Sequence, residues 1–377
     1  MIKIRLIFSV LLVVVVFGYS SAFAQLDLAG AELSTIDPVP PQTDFEYPFI
    51  NRQGVMVGEL FEVLQGGKLP SIRDTAIRYP NGVVARMSTP TGYMVPVGLS
   101  NKYIVGNKRT ERGLEAWYAK LEDPFNSERF LPNNNDIATA ISLSPDGWTA
   151  GYIFNISNSQ LQAVVWPDPE MLIDLNSFIA LQPTSWLRLE QVVNVSGLTI
   201  HGGHYICGFG MTRSGVRRVF RLYLDQLFQI QEIISIGSKS LIPIAVNSHG
   251  FVVGNDATQA WQFDDANGLR PLVGLPGTPG GGFWTEVKGV TSHGIIFGSS
   301  SNQDYTIHAV IWQNGLAYDL NDVVKQQGLT SEWHHLIAVT SVVKVKDQLL
   351  IVGYGSRQDA RQLSFLINLS LLKSPSP

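Results

Sequence analysis

A glycine-punctuated pattern recurs seven times along this 377-residue chain, and it restricts the fold more than any other feature. Residues 247–254 read NSHGFVVG and residues 291–298 read TSHGIIFG. Residues 51–58 (NRQGVMVG) and 144–151 (SPDGWTAG) follow the same scheme. Each is a polar turn ending in Gly, then three residues, then a second Gly. Looser copies are NKYIVG at 101–106, HGGHYICG at 201–208 and DQLLIVG at 347–353. The second Gly therefore falls at 58, 106, 151, 208, 254, 298 and 353, with gaps of 48, 45, 57, 46, 44 and 55 residues. A second pattern follows each copy: AVVW at 163–166, AWQF at 260–263 and AVIW at 309–312, with AIRY, AWYA, VFRLY and SFLINL as relatives. A third closes two repeats, IDLN at 173–176 and YDLN at 318–321.

The apolar runs are four to six residues long, rich in β-branched and aromatic side chains, and bounded by Gly, Asn, Asp and Pro. Those are strand signals. Gly in the turn supplies positive φ without steric cost. The second Gly lies inside a strand, where its use is close approach of a neighbouring group. About four strands per repeat match one propeller blade, and radial closure protects the sheet edges. A β-helix needs shorter repeats, and a sandwich needs no repeat. The expected fold is all-β, a seven-bladed β-propeller spanning residues 45–372. The last repeat ends after its third strand, near Leu372. Residues 31–37 (AELSTID) match the fourth-strand segment EMLIDLN at 170–176. The N-terminal segment, residues 25–44, is therefore expected to supply the missing strand and close the ring.

Residues 1–24 read as a signal peptide. Lys3 and Arg5 precede an apolar run at 6–17, and Ala22-Phe23-Ala24 sets cleavage before Gln25. The run is shorter than the ~20 residues needed to span a bilayer. Periplasmic or extracellular localisation is expected, with no membrane insertion after cleavage. Residues 373–377 are expected to be a disordered tail. The formal charge is 27 minus 31, or −4, so no global basic field favours nucleic acid. One Cys excludes an internal disulfide, and the charged fraction of 15% beside 45% hydrophobic residues excludes a disordered chain.

These motifs resemble the HAF-repeat family of extracellular bacterial proteins. The matching segments are Ala245 to Gly254, His308-Ala-Val-Ile-Trp312, Asp319-Leu-Asn321, Trp186-Leu-Arg-Leu and Trp333-His-His-Leu-Ile-Ala338. The resemblance covers most of residues 45–370. It implies export and a propeller-like fold, and it carries no general enzymatic activity.

Chemical motifs are sparse. His201 and His204 flank a turn and point apart, and no third ligand has the spacing of a structural zinc site, so no metal and no cofactor is expected. His249 and His293 occupy the same turn position in adjacent repeats. Ser144-Pro-Asp-Gly147 is a propeller turn. No G-x-S-x-G elbow and no phosphate loop is present. Asp264-Asp265 are expected to be solvated in a turn. Cys207 reads as a small buried hydrophobe. Asn155, Asn194 and Asn368 head N-x-S sequons with no expected use.

Alternating strand direction puts the short N-x-x-G turns on one face and the connections after the second and fourth strands on the other. That second face collects the long polar loops and is the expected binding surface. The candidates on it are Arg109, Arg112, Arg213, His334, His335, Arg357 and Arg361. The leading expectation is an exported, monomeric, non-enzymatic scaffold binding a protein or glycan there. The alternative is a periplasmic or secreted hydrolase or lyase with its site at the central mouth.

Overall fold

A computed structural model describes residues 32–370 apart from 37–42, 63–72, 89–92, 181–183, 238–239, 258, 276–283, 303–304, 327, 329–331 and 359–361. The expected signal peptide and tail lie outside the described residues. The chain forms seven four-stranded antiparallel sheets arranged as blades. Blade 1 contains β2 (Thr43–Ile50), β3 (Met56–Glu62), β4 (Arg73–Arg78) and β5 (Val84–Met87). Blade 2 contains β6 (Met94–Leu99), β7 (Tyr103–Thr110), β8 (Gly113–Lys120) and β9 (Arg129–Phe130). Blade 3 contains β10 (Ile137–Leu143), β11 (Thr149–Asn155), β12 (Gln160–Asp168) and β13 (Met171–Asp174). Blade 4 contains β14 (Trp186–Val195), β15 (His204–Thr212), β16 (Arg217–Leu224) and β17 (Ile230–Ile236). Blade 5 contains β18 (Ile242–Val246), β19 (Val252–Asn255), β20 (Ala260–Asp264) and β21 (Gly268–Pro271). Blade 6 contains β22 (Thr285–Val290), β23 (Ile296–Ser301), β24 (Ile307–Gln313) and β25 (Leu316–Asp319). Blade 7 contains β26 (Trp333–Val345), β27 (Gln348–Arg357) and β28 (Gln362–Ser370). Two short helices, α1 (Asn176–Ile179) and α2 (Asn321–Gln326), follow the D-L-N segments.

The fourth strand of blade 7 is β1 (Glu32–Ile36), which pairs antiparallel with β28. The ring is thus closed by the N-terminal strand, as AELSTID predicts. The seven first strands are innermost, and each contacts the first strands on either side. Among the described residues no helix is long and apolar enough to cross a membrane.

The in-strand glycines have a single geometric cause. Each innermost strand is bulged beside the second Gly of its own blade, as at Pro96/Gly98 opposite Gly106 and Val339/Ser341 opposite Gly353. A bulge inserts one residue and turns the local backbone. At Gly106, Gly151, Gly208, Gly254, Gly298 and Gly353 an added Cβ would lie under 3.0 Å from a carbonyl of that strand. Only Gly admits the bulge, so the periodic glycine marks where each inner strand bends toward the axis.

The turns before these glycines are capped by their own side chains. Asn51 Oδ1 accepts from the Gln53 and Val55 amides, and Asn247 Oδ1 accepts from His249 and Phe251. Ser144 and Thr291 do the same with one amide each.

Asparagines also join successive blades. Asn321 Nδ2 donates to Leu336 O at 3.0 Å, and its Oδ1 accepts from Leu336 N at 2.7 Å. Asn176 holds Leu189 in the same way, Asn107 holds Ala140 and Asn255 holds Val287. Every clamped residue lies immediately before a bulge of an inner strand. The amide gives the interrupted backbone the donor and acceptor that a regular ladder would supply. Asp174 and Asp319 in turn accept from the amide of Asn176 or Asn321. The D-L-N motif is therefore a blade-to-blade clamp. Buried tryptophans of the third strands, Trp117, Trp166 and Trp312, fill the space between blades.

Candidate functional site

The C-terminal ends of the inner strands and the turns that follow converge around a cavity of about 520 Å³ on the short-turn face. All seven blades line it. Its shaft has apolar wall positions, among them Val97, Leu143, Ile244, Val290 and Val342. Its rim carries Arg52, Asp146, His293 and Lys344. Lys288 also lines it but is paired with Glu286 at 2.6 Å. Burial, together with the charges of Lys344, Arg52 and His249, pushes the His293 pKa below its ordinary value. His293 is therefore a neutral imidazole at pH 7, able to accept a proton.

Three blades away, Asp146 is held by two neighbours. Ser144 Oγ donates to its Oδ1 at 2.7 Å, and its Oδ2 lies 2.7 Å from His204 Nε2. Burial alone would raise the Asp146 pKa. The hydrogen bonds from His204 and Ser144 outweigh it and hold the carboxyl below its usual range. His204 is buried and stacks on Trp148 at 3.9 Å between ring centroids. The order of contacts is Ser–Asp–His, so this is no serine nucleophile with its base. Ser144 is buried and accepts the Trp148 amide, which makes it a turn cap. Asp146 is the group that reaches the cavity. An ionised carboxylate and a neutral imidazole across a partly apolar cavity can serve proton transfer or orient a bound polar group.

The residues expected to form a site lie on the opposite face, and most are occupied by local structure. Arg112 donates to the Asn135 and Asp136 carbonyls, and Arg109 lies 5.2 Å from the Tyr93 ring centroid. Arg213 donates to Thr184 O and lines a smaller cavity of about 250 Å³ with Arg188 and Trp186. Arg357 ends β27 opposite Trp333. Arg361 lies outside the described residues. His334 and His335 do come together, with centroids 4.8 Å apart, and His335 is 6.4 Å from His308. His308 Nδ1 lies 2.6 Å from Asp319 Oδ2, so the histidine of the H-A-x-x-W pattern braces the D-L-N clamp. Among the described residues no three His, Cys, Asp or Glu side chains gather at metal-ligand spacing.

Sequence reasoning missed three arrangements. The Asp146–His204 pair spans 58 positions and two blades, and no motif spacing announces it. Lys344 is inconspicuous in the run VVKVK. Arg221 is fully buried, bonding Glu232, Asp265 and the Gly250 carbonyl. Asp265, expected to be merely solvated, is thus one of its partners. Cys207 is buried as expected, and burial pushes its thiol pKa up, away from nucleophilic use.

No protein-family model and no curated protein matches the sequence. Solved structures of similar fold include the β-propeller domain of the Trilobed protease from Pyrococcus furiosus (TM-score 0.48, 11% identity, covering 89% of this chain and 99% of that one). They also include prolyl endopeptidases (TM-score 0.49, 14% identity, 90% of this chain and 48% of that one). A third is a gluconolactonase from Xanthomonas campestris (TM-score 0.41, 10% identity, 91% of each chain). The present chain spans about half the length of the prolyl endopeptidase. The fold itself stands on the seven four-stranded sheets, and at these identities no activity transfers from the similar structures. The expectation of a non-enzymatic scaffold acting through its loop-rich face is nevertheless corrected. The three solved structures named above are enzymes or parts of enzymes. The cavity whose rim carries ionisable groups also opens on the short-turn face.

Proposed function

We propose that this chain is an exported enzyme, a hydrolase or lyase, with its site at the central mouth on the short-turn face. The observation that carries the reading is the cavity of about 520 Å³ in which Asp146 and His293 meet apolar walls. A concave, largely apolar site with a few convergent polar groups is the usual form of a small-molecule site. His293 is the candidate base, and Asp146, fixed by His204 and Ser144, is the candidate carboxylate. The apolar leader at 1–24 and the resemblance to HAF-repeat proteins support export. The test is turnover of a panel of esters, lactones and acidic and neutral oligosaccharides by the purified protein. Activity should fall at least about a hundredfold in His293→Gln or Asp146→Asn, the scale of a lost acid–base group. Activity undiminished in both variants, or no turnover across the panel, refutes the reading.

A further inference from the structure

We infer that the mouth binds a ligand bearing a carboxylate on an apolar body, the carboxylate held by the blade 7 and blade 1 side of the rim and the body in the shaft. The inference rests on the proposed function for the location of the site and adds the chemistry of what enters it.

The rim is not symmetric. In blades 2 to 6 the inner strand ends three residues past the position facing the second Gly: Pro96 to Leu99, Ala140 to Leu143, Val192 to Val195, Pro243 to Val246 and Val287 to Val290. In blade 7 the same count from Val339 reaches Val342, yet β26 continues to Val345. Three further residues raise this hairpin by about 10 Å at ~3.3 Å each. Lys344 lies on that raised segment, and Arg52 lines the same cavity from the neighbouring turn of blade 1. Neither has an ion-pair partner among the described residues. Lys346 and Asp347 at the tip offset each other in charge. Both Lys344 and Arg52 act on His293, which places the three groups in one electrostatic neighbourhood. Asp146, the carboxylate lining the cavity, belongs to blade 3 and is already held by His204 and Ser144.

Blade 4 stands across the ring from blades 7 and 1. Its turn is longer and presents Leu198 and Ile200, 58% and 89% exposed. Leu198 lines the cavity. One side of the mouth is therefore cationic, while the shaft offers the apolar positions Val97, Leu143, Ile244, Val290 and Val342, and the far rim offers Leu198 beside the already engaged Asp146. Low-dielectric walls focus the field of such charges and weaken its screening by salt. A purely apolar ligand leaves Arg52 and Lys344 unused, and a small anion leaves the shaft unfilled.

The experiment is calorimetric binding of three probes to the purified full-length protein: 4-phenylbutyrate, 4-phenylbutanol and acetate. The carboxylate on the aryl body should bind about tenfold tighter than either other probe at low salt, the scale of one partly screened charge contact. The double variant Arg52→Gln/Lys344→Gln should bring it to the affinity of the alcohol, which itself should not change. His293 supplies a second readout, because a bound carboxylate raises its NMR-measured pKa. Equal binding of acid and alcohol, or an unaffected double variant, overturns the inference. Carboxylate-selective binding without turnover of any substrate sinks the enzyme reading and leaves this one standing. Turnover through His293 with no preference for charge does the reverse.

Discussion

Replacing Asn321 by Ala removes one of the four asparagine clamps without touching the apolar core. The side chain is buried, and both of its amide atoms engage the backbone of Leu336, a residue with no exposed surface. The variant leaves one buried N–H and one buried C=O unpaired just before a bulge, where the strand cannot slide to re-pair them. Each unsatisfied group costs about 1–3 kcal/mol, so the loss should be about 2–6 kcal/mol, less where water enters. That is a large part of the 5–15 kcal/mol typical of a folded domain. Equilibrium urea denaturation followed by tryptophan fluorescence reads it, since Trp333 lies at the start of the clamped strand. Asn321→Asp should fare no better: the carboxylate still accepts from Leu336 N but faces the Leu336 carbonyl and Asp319. Asn176→Ala in blade 3 should cost a similar amount. A change below about 0.5 kcal/mol in Asn321→Ala, the range of ordinary surface substitutions, would refute the clamp.

Deleting residues 25–37 removes β1 and exposes the edge of β28 and the cluster around Ile36; a loss of at least about 3 kcal/mol is expected from the buried Ile and five paired residues. A synthetic peptide of residues 30–38 should recover part of it, and unchanged melting would dismiss the closing role. Gly353→Ala drives a Cβ into the Ala338 carbonyl and the Phe365 ring and should cost about 3 kcal/mol or more, whereas Gly315→Ala meets open space and pays mainly for its positive φ, about 1 kcal/mol; equal costs would contradict the bulge argument. Asp319 has its pKa raised by burial but lowered further by His308 and Asn321, so its net folded value lies below the unfolded one. Its stabilisation is then present above about pH 4 and lost as pH falls through the folded pKa; chemical denaturation from pH 7 to pH 3 should show a smaller acid loss in Asp319→Asn than in the parent protein.

Much of this fold could be read from one strand of text because the blade is written seven times. The glycine spacing, the A-x-x-W strand and the AELSTID segment each recur, and repetition turns weak local signals into an architecture. The reason for the in-strand Gly is less accessible. Close approach is deducible from the residue type, but the bulge that demands it belongs to the partner strand. D-L-N is legible as a motif, whereas its role is not, since Leu189 and Leu336, which the Asn side chains hold, carry no distinguishing feature of their own.

The site resists the same method for a physical reason. A seven-fold scaffold places equivalent residues around one axis, so whatever is common to the repeats is structural. What can recognise a ligand is what breaks the symmetry. His293 and His249 occupy the same turn position, but only His293 lines the cavity. Lys344 matters because β26 runs three residues beyond its counterparts, and Leu198 because one turn is longer than the others. These departures sit in different blades, at Arg52, Asp146, Leu198 and Lys344, so no local spacing joins them. The polar loops of the opposite face stand out by composition, but two of their arginines, Arg112 and Arg213, are spent on neighbouring carbonyls. In a repeat protein of this kind, the recognition signal in the sequence is a charged residue without a counterpart in the other blades, as Arg52 is in its turn and Lys344 is on its extended strand.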